Sequence, residues 1–185
     1  MNKRRLKKYL QELKLEIHEL NQLRIFDFDD TLALTQSKVT ISHADGTKSI
    51  LGTGEYAVYN RKKGDKFDFC QFDNLDNPKM IKWTARILKK IFTKHGKECC
   101  VILTARHNGE PIREFLHAAG FDGIEVVALA SGDPQAKADW IHHAIVQRGL
   151  EFIEFFDDSH RNISAVNQIR SLHENVKIIT HHIRH

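Results

Sequence analysis

The sequence predicts an α/β fold built on one parallel sheet, and three observations carry that expectation. Short apolar runs alternate along the chain with amphipathic helical stretches, the order that lays helices over a parallel sheet. Several of the runs end abruptly on Asp or Thr, as strands do where an open sheet presents its ligand-binding edge. The helical stretches tend to begin near Pro and stop at Gly, the usual asymmetry of helix ends. At 185 residues, 41% hydrophobic and 28% charged, the chain can bury one sizeable core.

Residues 1–22 read as a basic amphipathic helix. Leu6, Leu10, Leu13, Ile17 and Leu20 recur at alternating steps of four and three, which places them on one stripe. Residues 1–24 hold seven Lys or Arg against three Glu, so they account for the whole net charge of +4. The stripe either docks on the chain's own domain or serves as a dimerising helix, giving a homodimer, or as a basic arm for nucleic acid.

The domain proper is expected over 23–185. Its first strand is LRIFDF, with Leu23, Ile25, Phe26 and Phe28 apolar, and it breaks into polar residues after Phe28. Side chains alternate along a strand, so Asp27 and Asp29 point the same way and can share one metal ion or one substrate. A hard cation such as Mg2+ relieves their repulsion and frees one carboxylate as a nucleophile. Alone, Asp-x-Asp reads equally well as a solvated turn.

An insert follows over 35–76. KVTISHADGTKSIL reads as a hairpin around Asp45-Gly46, and KFDFCQF alternates like a further strand. Tyr56, Tyr59, Phe67, Phe69 and Phe72 interleave with Arg61, Lys62, Lys63 and Lys66. Such a pattern is either the insert's own small core or a surface that stacks bases and holds phosphates.

A helix is expected from Pro78 to Lys94, then a strand over 99–104 ending in Thr104, then a helix from Glu110 to Ala119 stopped by Gly120. IEVVALA (124–130) is the third strand. The next helix runs from Pro134 to Arg148, with Asp133 as its cap, Lys137 near its start and Gly149 as its stop. FIEFF (152–156) is the fourth strand and delivers Asp157 and Asp158, with Asn162 shortly after. A helix over 161–173 and a fifth strand, VKIIT (176–180), complete the order.

No apolar run reaches the ~20 residues needed to cross a bilayer, and the charged start lacks the apolar stretch of a secretory signal. No membrane partner and a cytoplasmic location are the expectation. Cys70, Cys99 and Cys100 then read as reduced, structural thiols.

FDFDDTLALT, CCVILTARHN, GDPQAKADWI and EFIEFFDDSHRN resemble, in order and spacing, the four motifs of the haloacid dehalogenase (HAD) superfamily of phosphohydrolases. The wording DFDDTL, LTAR and FFDD is similar to small phage-type members and to polynucleotide 3'-phosphatases. One departure is Asp30, where many members have Gly. The resemblance implies a HAD-like Rossmannoid three-layer sandwich with sheet order 5-4-1-2-3, residues 35–76 forming a small cap. It implies a Mg2+-dependent phosphatase that forms an aspartyl phosphate on Asp27, with Asp29 as general acid and base. The metal set would be Asp27, Asp29 (through its backbone carbonyl), Asp157 and Asp158, with Asp157 direct and Asp158 water-mediated or anchoring the lysine. Thr104, the backbone at Ala105 and Arg106, and Lys137 would hold the phosphoryl group.

Arg106 and His107 are expected at the pocket rim, Arg106 binding a second phosphate or joining a surface ion pair. The substrate implied is a phosphomonoester, on a nucleotide or nucleic-acid end. The alternatives are a phosphatase of phosphorylated small metabolites and a non-catalytic nucleic-acid-binding or interaction protein on the same scaffold.

Overall fold

A computed structural model describes residues 21–184. The basic stripe over 1–22 and its dimer or nucleic-acid role therefore fall almost entirely outside the described residues, while Gln22 already opens the first strand. In chain order the strands are β1 (Gln22–Phe26), β2 (Ala33–Leu34), β3 (Lys38–Ser42), β4 (Lys48–Gly52), β5 (Lys66–Asp68), β6 (Lys79–Met80), β7 (Cys100–Thr104), β8 (Glu125–Ala128), β9 (Phe152–Asp157) and β10 (Lys177–His182). The helices are α1 (Thr53–Ala57), α2 (Lys82–His95), α3 (Glu110–Ala118), α4 (Pro134–Arg148) and α5 (His160–Gln168).

The central sheet has five strands in the order β10-β9-β1-β7-β8. Every pairing within it is parallel. Period-two alternation divides its side chains between two cores. Leu23, Ile25, Val101, Leu103, Ile153 and Phe155 pack with Ile141 of α4 and Val166 of α5. Phe26, Ile102 and Phe156 face the other way, against Leu88 of α2 and Leu116 of α3. Helices thus cover both faces, and β1, apolar on both, lies in the middle. Phe26 and Phe156 stack across neighbouring strands at 4.4 Å between centroids. No helix among the described residues is long and apolar enough to cross a membrane.

The insert forms a second, antiparallel sheet in the order β4-β3-β5. Its hairpin pairs Ser42 with Lys48, and Gly46 takes a φ of +85° that favours glycine. Tyr56 packs edge to face on Phe67 and Phe69 at 5.8 and 5.5 Å, so the rings hold one another, while Phe69 stays exposed and the insert's fully buried apolar side chains are Val39 and Ile41. Exposed Cys70 lies here, while Cys100 is buried in β7, where burial pushes its thiol up to about 12.

Several boundaries differ from the sequence reading: the first strand ends at Phe26, the strand expected over 124–130 spans Glu125–Ala128, and the last α-helix ends at Gln168. Pro78 does not open a helix: Asn77 turns with a φ of +45°, Lys79 and Met80 pair with Leu34 and Ala33, and α2 begins only at Lys82. A non-local strand pairing outweighs the local helix-start signal. The fifth strand also runs on to His182, because β9 continues to Asp157 and offers it backbone partners.

Candidate active site

Asp27 sits one residue past β1, at the carboxyl edge of the sheet. Its N–H donates to the Phe156 carbonyl at 2.9 Å, which stitches it to β9 just before Asp157. Adjacent parallel strands therefore bring together acids about 130 residues apart in sequence. Lys137 comes from the first turns of α4, where Asp133 caps the helix by accepting from the Gln135 N–H at 3.0 Å and Pro134 opens it. Its ammonium donates to Asp27 Oδ1 at 2.5 Å and to Asp157 Oδ2 at 2.8 Å. Lys137 is 3% exposed, Asp27 6% and Asp157 0%.

Asp157 is further held by the Ser159 N–H at 2.8 Å and by the Asn162 amide, which donates to both of its oxygens at 3.0 Å. It is thus Asp157 that anchors the lysine, and Asp158 does not. Asp158 instead exchanges hydrogen bonds with Thr31 and lines the cavity. Ligand atoms of Asp27, Asp157 and Asp158 all lie within 4.8 Å of one another. Burial is the chief cause that raises Asp27 well above the usual carboxylate range, against the pull of Lys137. Burial, then the charges of Asp157 and Asp30, push Asp158 up to about 7. Burial works against the charge on Lys137, yet the two carboxylates it touches outweigh that and raise its pKa.

With all three carboxylates ionised against one ammonium, the pocket would carry a surplus of two negative charges, and burial together with their repulsion is what holds protons on Asp27 and Asp158. That surplus matches a divalent cation, and oxygen-only donors suit Mg2+. The fit is through Asp27, Asp157 and Asp158, while the Asp29 carboxylate is engaged elsewhere.

Asp29 lines the same cavity as Asp27, but β1 ends at Phe26 and the Asp29 carboxylate is held by a different cation. Its oxygens accept from Arg106 Nε at 2.8 Å and Nη2 at 2.7 Å, and Oδ1 also accepts from the Thr35 hydroxyl at 2.8 Å. Arg106 is not a rim residue. It is 3% exposed, and it also donates to the Ser37 hydroxyl and to the Phe72 and Asn74 carbonyls, each at 3.0 Å. Its guanidinium lies 4.7 Å from the Phe72 ring centroid. It therefore ties Asp29 to the insert and has no donor group spare for a second phosphate.

Asp30 occupies the left-handed region with a φ of +55°, a conformation in which glycine is easiest. Its carboxylate accepts from the Thr53 hydroxyl of α1, a second tie between the motif loop and the insert. Thr104, at the end of β7, is buried and its hydroxyl accepts from the Arg106 N–H at 3.2 Å.

Asp27, Asp29, Thr104, Ala105, Lys137 and Asp158 share one cavity of about 200 Å3. The insert supplies its outer wall through Thr53, Tyr56, Arg61, Phe69 and Phe72. Arg161 and the Ser131-Gly132 turn, which the sequence reading did not single out, line it from the core side. No local pattern marks them, since only the fold brings them to the same mouth. Comparison of the chain with protein-family models, curated proteins and solved structures finds no match.

Proposed function

We propose that the chain is a Mg2+-dependent phosphatase of the HAD type, hydrolysing a phosphomonoester through an aspartyl phosphate on Asp27. The observation that carries this reading is the convergence of Asp27, Lys137, Asp157 and Asp158 at the carboxyl edge of the central strand pair. Numbering only the five central strands in chain order turns the observed order into 5-4-1-2-3, which supports the family assignment.

Lys137 engages Oδ1 of Asp27 and so leaves Oδ2 to attack phosphorus. A bound Mg2+ would be held by Asp27, Asp157 and Asp158 and would offset the charge of the phosphoryl oxygens. The Thr104 hydroxyl and the Ala105 backbone, both lining the cavity, would grip those oxygens, and Lys137 would neutralise charge that develops as the ester bond breaks. The leaving oxygen takes a proton from Asp29. Water then attacks the acyl phosphate, its proton passes to Asp29, and the bond from phosphorus to Asp27 breaks to release phosphate. The two-pronged grip of Arg106 holds the Asp29 carboxyl in place, and passing a proton through it requires one of those bonds to open.

Aromatic rings on the outer wall favour a nucleotide as the substrate. A cavity of about 200 Å3 that opens to solvent takes the phosphoryl end of a phosphomonoester and leaves the rest of a larger substrate at the mouth. A panel of nucleotides, sugar phosphates and 3'- or 5'-phosphorylated oligonucleotides, assayed with Mg2+ and with EDTA, tests this reading. Phosphate release that requires Mg2+ supports it, and no release from any member rejects it.

A further inference from the structure

The acidic inner end of the cavity contrasts with its mouth. Arg61 on the insert and Arg161 on α5 both line the cavity and both are exposed. Arg61 donates to the Tyr56 hydroxyl at 2.7 Å and to the Gly132 carbonyl at 3.4 Å, and its guanidinium sits 5.1 Å from the Phe67 ring centroid. Arg161 donates to the side-chain oxygen of Asn60, the residue next to Arg61, at 3.1 Å. The two cations therefore belong to one rim and are held in place by neutral partners.

Elsewhere on the surface Arg113 pairs with Glu110 at 2.8 Å and Arg148 with Glu125 at 3.0 Å, while Arg170 and Arg184 bond to Thr180 and His182, so what distinguishes Arg61 and Arg161 is their shared place at the cavity mouth. Among the described residues no carboxylate ion-pairs with Arg61 or Arg161. Two oriented guanidinium groups without a counter-charge, beside a cavity that closes on a phosphoryl site, form an anion receptor. Their contacts also span the mouth from insert to core, so an anion bound there would hold the insert down over the substrate.

Resting on the phosphatase reading above, we propose that Arg61 and Arg161 form a second anion subsite, and that the preferred substrates are phosphomonoesters carrying a second phosphate at their far end. Phe69 and Tyr56 line the same cavity and suit a planar ring there, which points to a nucleoside bisphosphate. The subsite acts on binding, because it lies away from the atoms that react.

The test compares kcat and KM for adenosine 3',5'-bisphosphate, adenosine 3'-monophosphate, adenosine 5'-monophosphate, fructose 1,6-bisphosphate, fructose 6-phosphate and p-nitrophenyl phosphate. The expected result is a preference for bisphosphates over matched monophosphates of about tenfold or more, expressed in KM with kcat little changed, as one charge-assisted contact predicts. Arg61→Gln combined with Arg161→Gln should collapse that preference, while Arg61→Lys should keep part of it. A preference shown by the fructose pair as well as the adenosine pair still supports the anion subsite and assigns no selection to the ring wall. Equal kcat/KM for mono- and bisphosphates, with p-nitrophenyl phosphate hydrolysed, would overturn the subsite and leave the phosphatase reading standing. No hydrolysis of any of these esters would overturn both.

Discussion

Arg106 donates from Nε and Nη2 to the two carboxylate oxygens of Asp29, at 2.8 and 2.7 Å, while its Nη1 donates to the Phe72 and Asn74 carbonyls of the insert at 3.0 Å. One buried guanidinium thus joins the second acid of the motif loop to the segment that walls the cavity. Seating of the insert and orientation of Asp29 are physically the same set of bonds.

Removing that group should be costly twice over. Arg106→Ala leaves Asp29 without its partner and two carbonyls without donors, and breaking a buried pair in this way costs about 3–5 kcal/mol. Arg106→Lys keeps the charge but cannot present two parallel N–H groups, so it should recover only part of the stability and of kcat. Urea denaturation beside phosphatase kinetics checks both. Wild-type kcat in Arg106→Ala would show that Asp29 needs no such support.

Lys137 neutralises Asp27 and Asp157 together. Lys137→Met should destabilise the metal-free protein by about 3–5 kcal/mol, since two buried carboxylates lose the cation that bridges them. Because a ligand that binds only the folded state stabilises it, Mg2+ should raise the melting temperature of this variant more than that of the wild type. An equal shift in both would place the metal away from these acids.

The raised acids give the metal-free protein an unusual pH profile. Between the ordinary carboxylate value near 4 and about 7, folded Asp158 keeps a proton that the unfolded chain has released, and Asp27 behaves in the same direction. The folded state then binds more protons, so this contribution to stability is present at low pH and is lost as pH rises through about 7. In EDTA, thermal melts should show this contribution weakening from about pH 5 to about pH 7. In Mg2+ the trend should shrink, and apparent Mg2+ affinity should drop as pH falls below about 7, because binding requires the protons to leave. Affinity independent of pH in that range would place the metal on other ligands.

Asp27→Asn should leave the fold intact and lower kcat by several orders of magnitude, since the amide is nearly isosteric yet a poor nucleophile. Stability should hold because Lys137 retains Asp157. Circular dichroism and initial rates on one preparation separate the two effects.

Much of the inner site was legible because it obeys local rules. Asp27, Thr104 and Asp157 each terminate or follow an apolar strand, and Asp133-Pro134 marks the helix start that delivers Lys137. Period two puts Asp27 and Asp29 on a common face, and both line the cavity, but β1 stops at Phe26, and the pairing of Asp27 with Lys137 and of Asp29 with Arg106 is not legible in that period. The burial of Arg106 carries no local signal, since Phe72 and Asn74 lie more than 30 residues upstream in an irregular stretch. The same holds for Pro78, where pairing of Lys79 and Met80 with β2 displaces the helix start to Lys82. Asp30 was recognised as an addition where glycine is common, while its left-handed φ and its bond from Thr53 depend on the folded loop.

The central claim is covalent attachment of phosphate to Asp27, and trapping that bond tests it most directly. Protein turning over p-nitrophenyl phosphate in Mg2+ would be quenched in acid, reduced with borohydride and mapped by peptide mass spectrometry, because hydride converts an aspartyl phosphate to homoserine. The expected result is homoserine in place of Asp27 alone, dependent on substrate and on Mg2+, and absent from Asp27→Asn. Steady turnover by the wild type with Asp27 unmodified, or with the label on another residue, would contradict the mechanism.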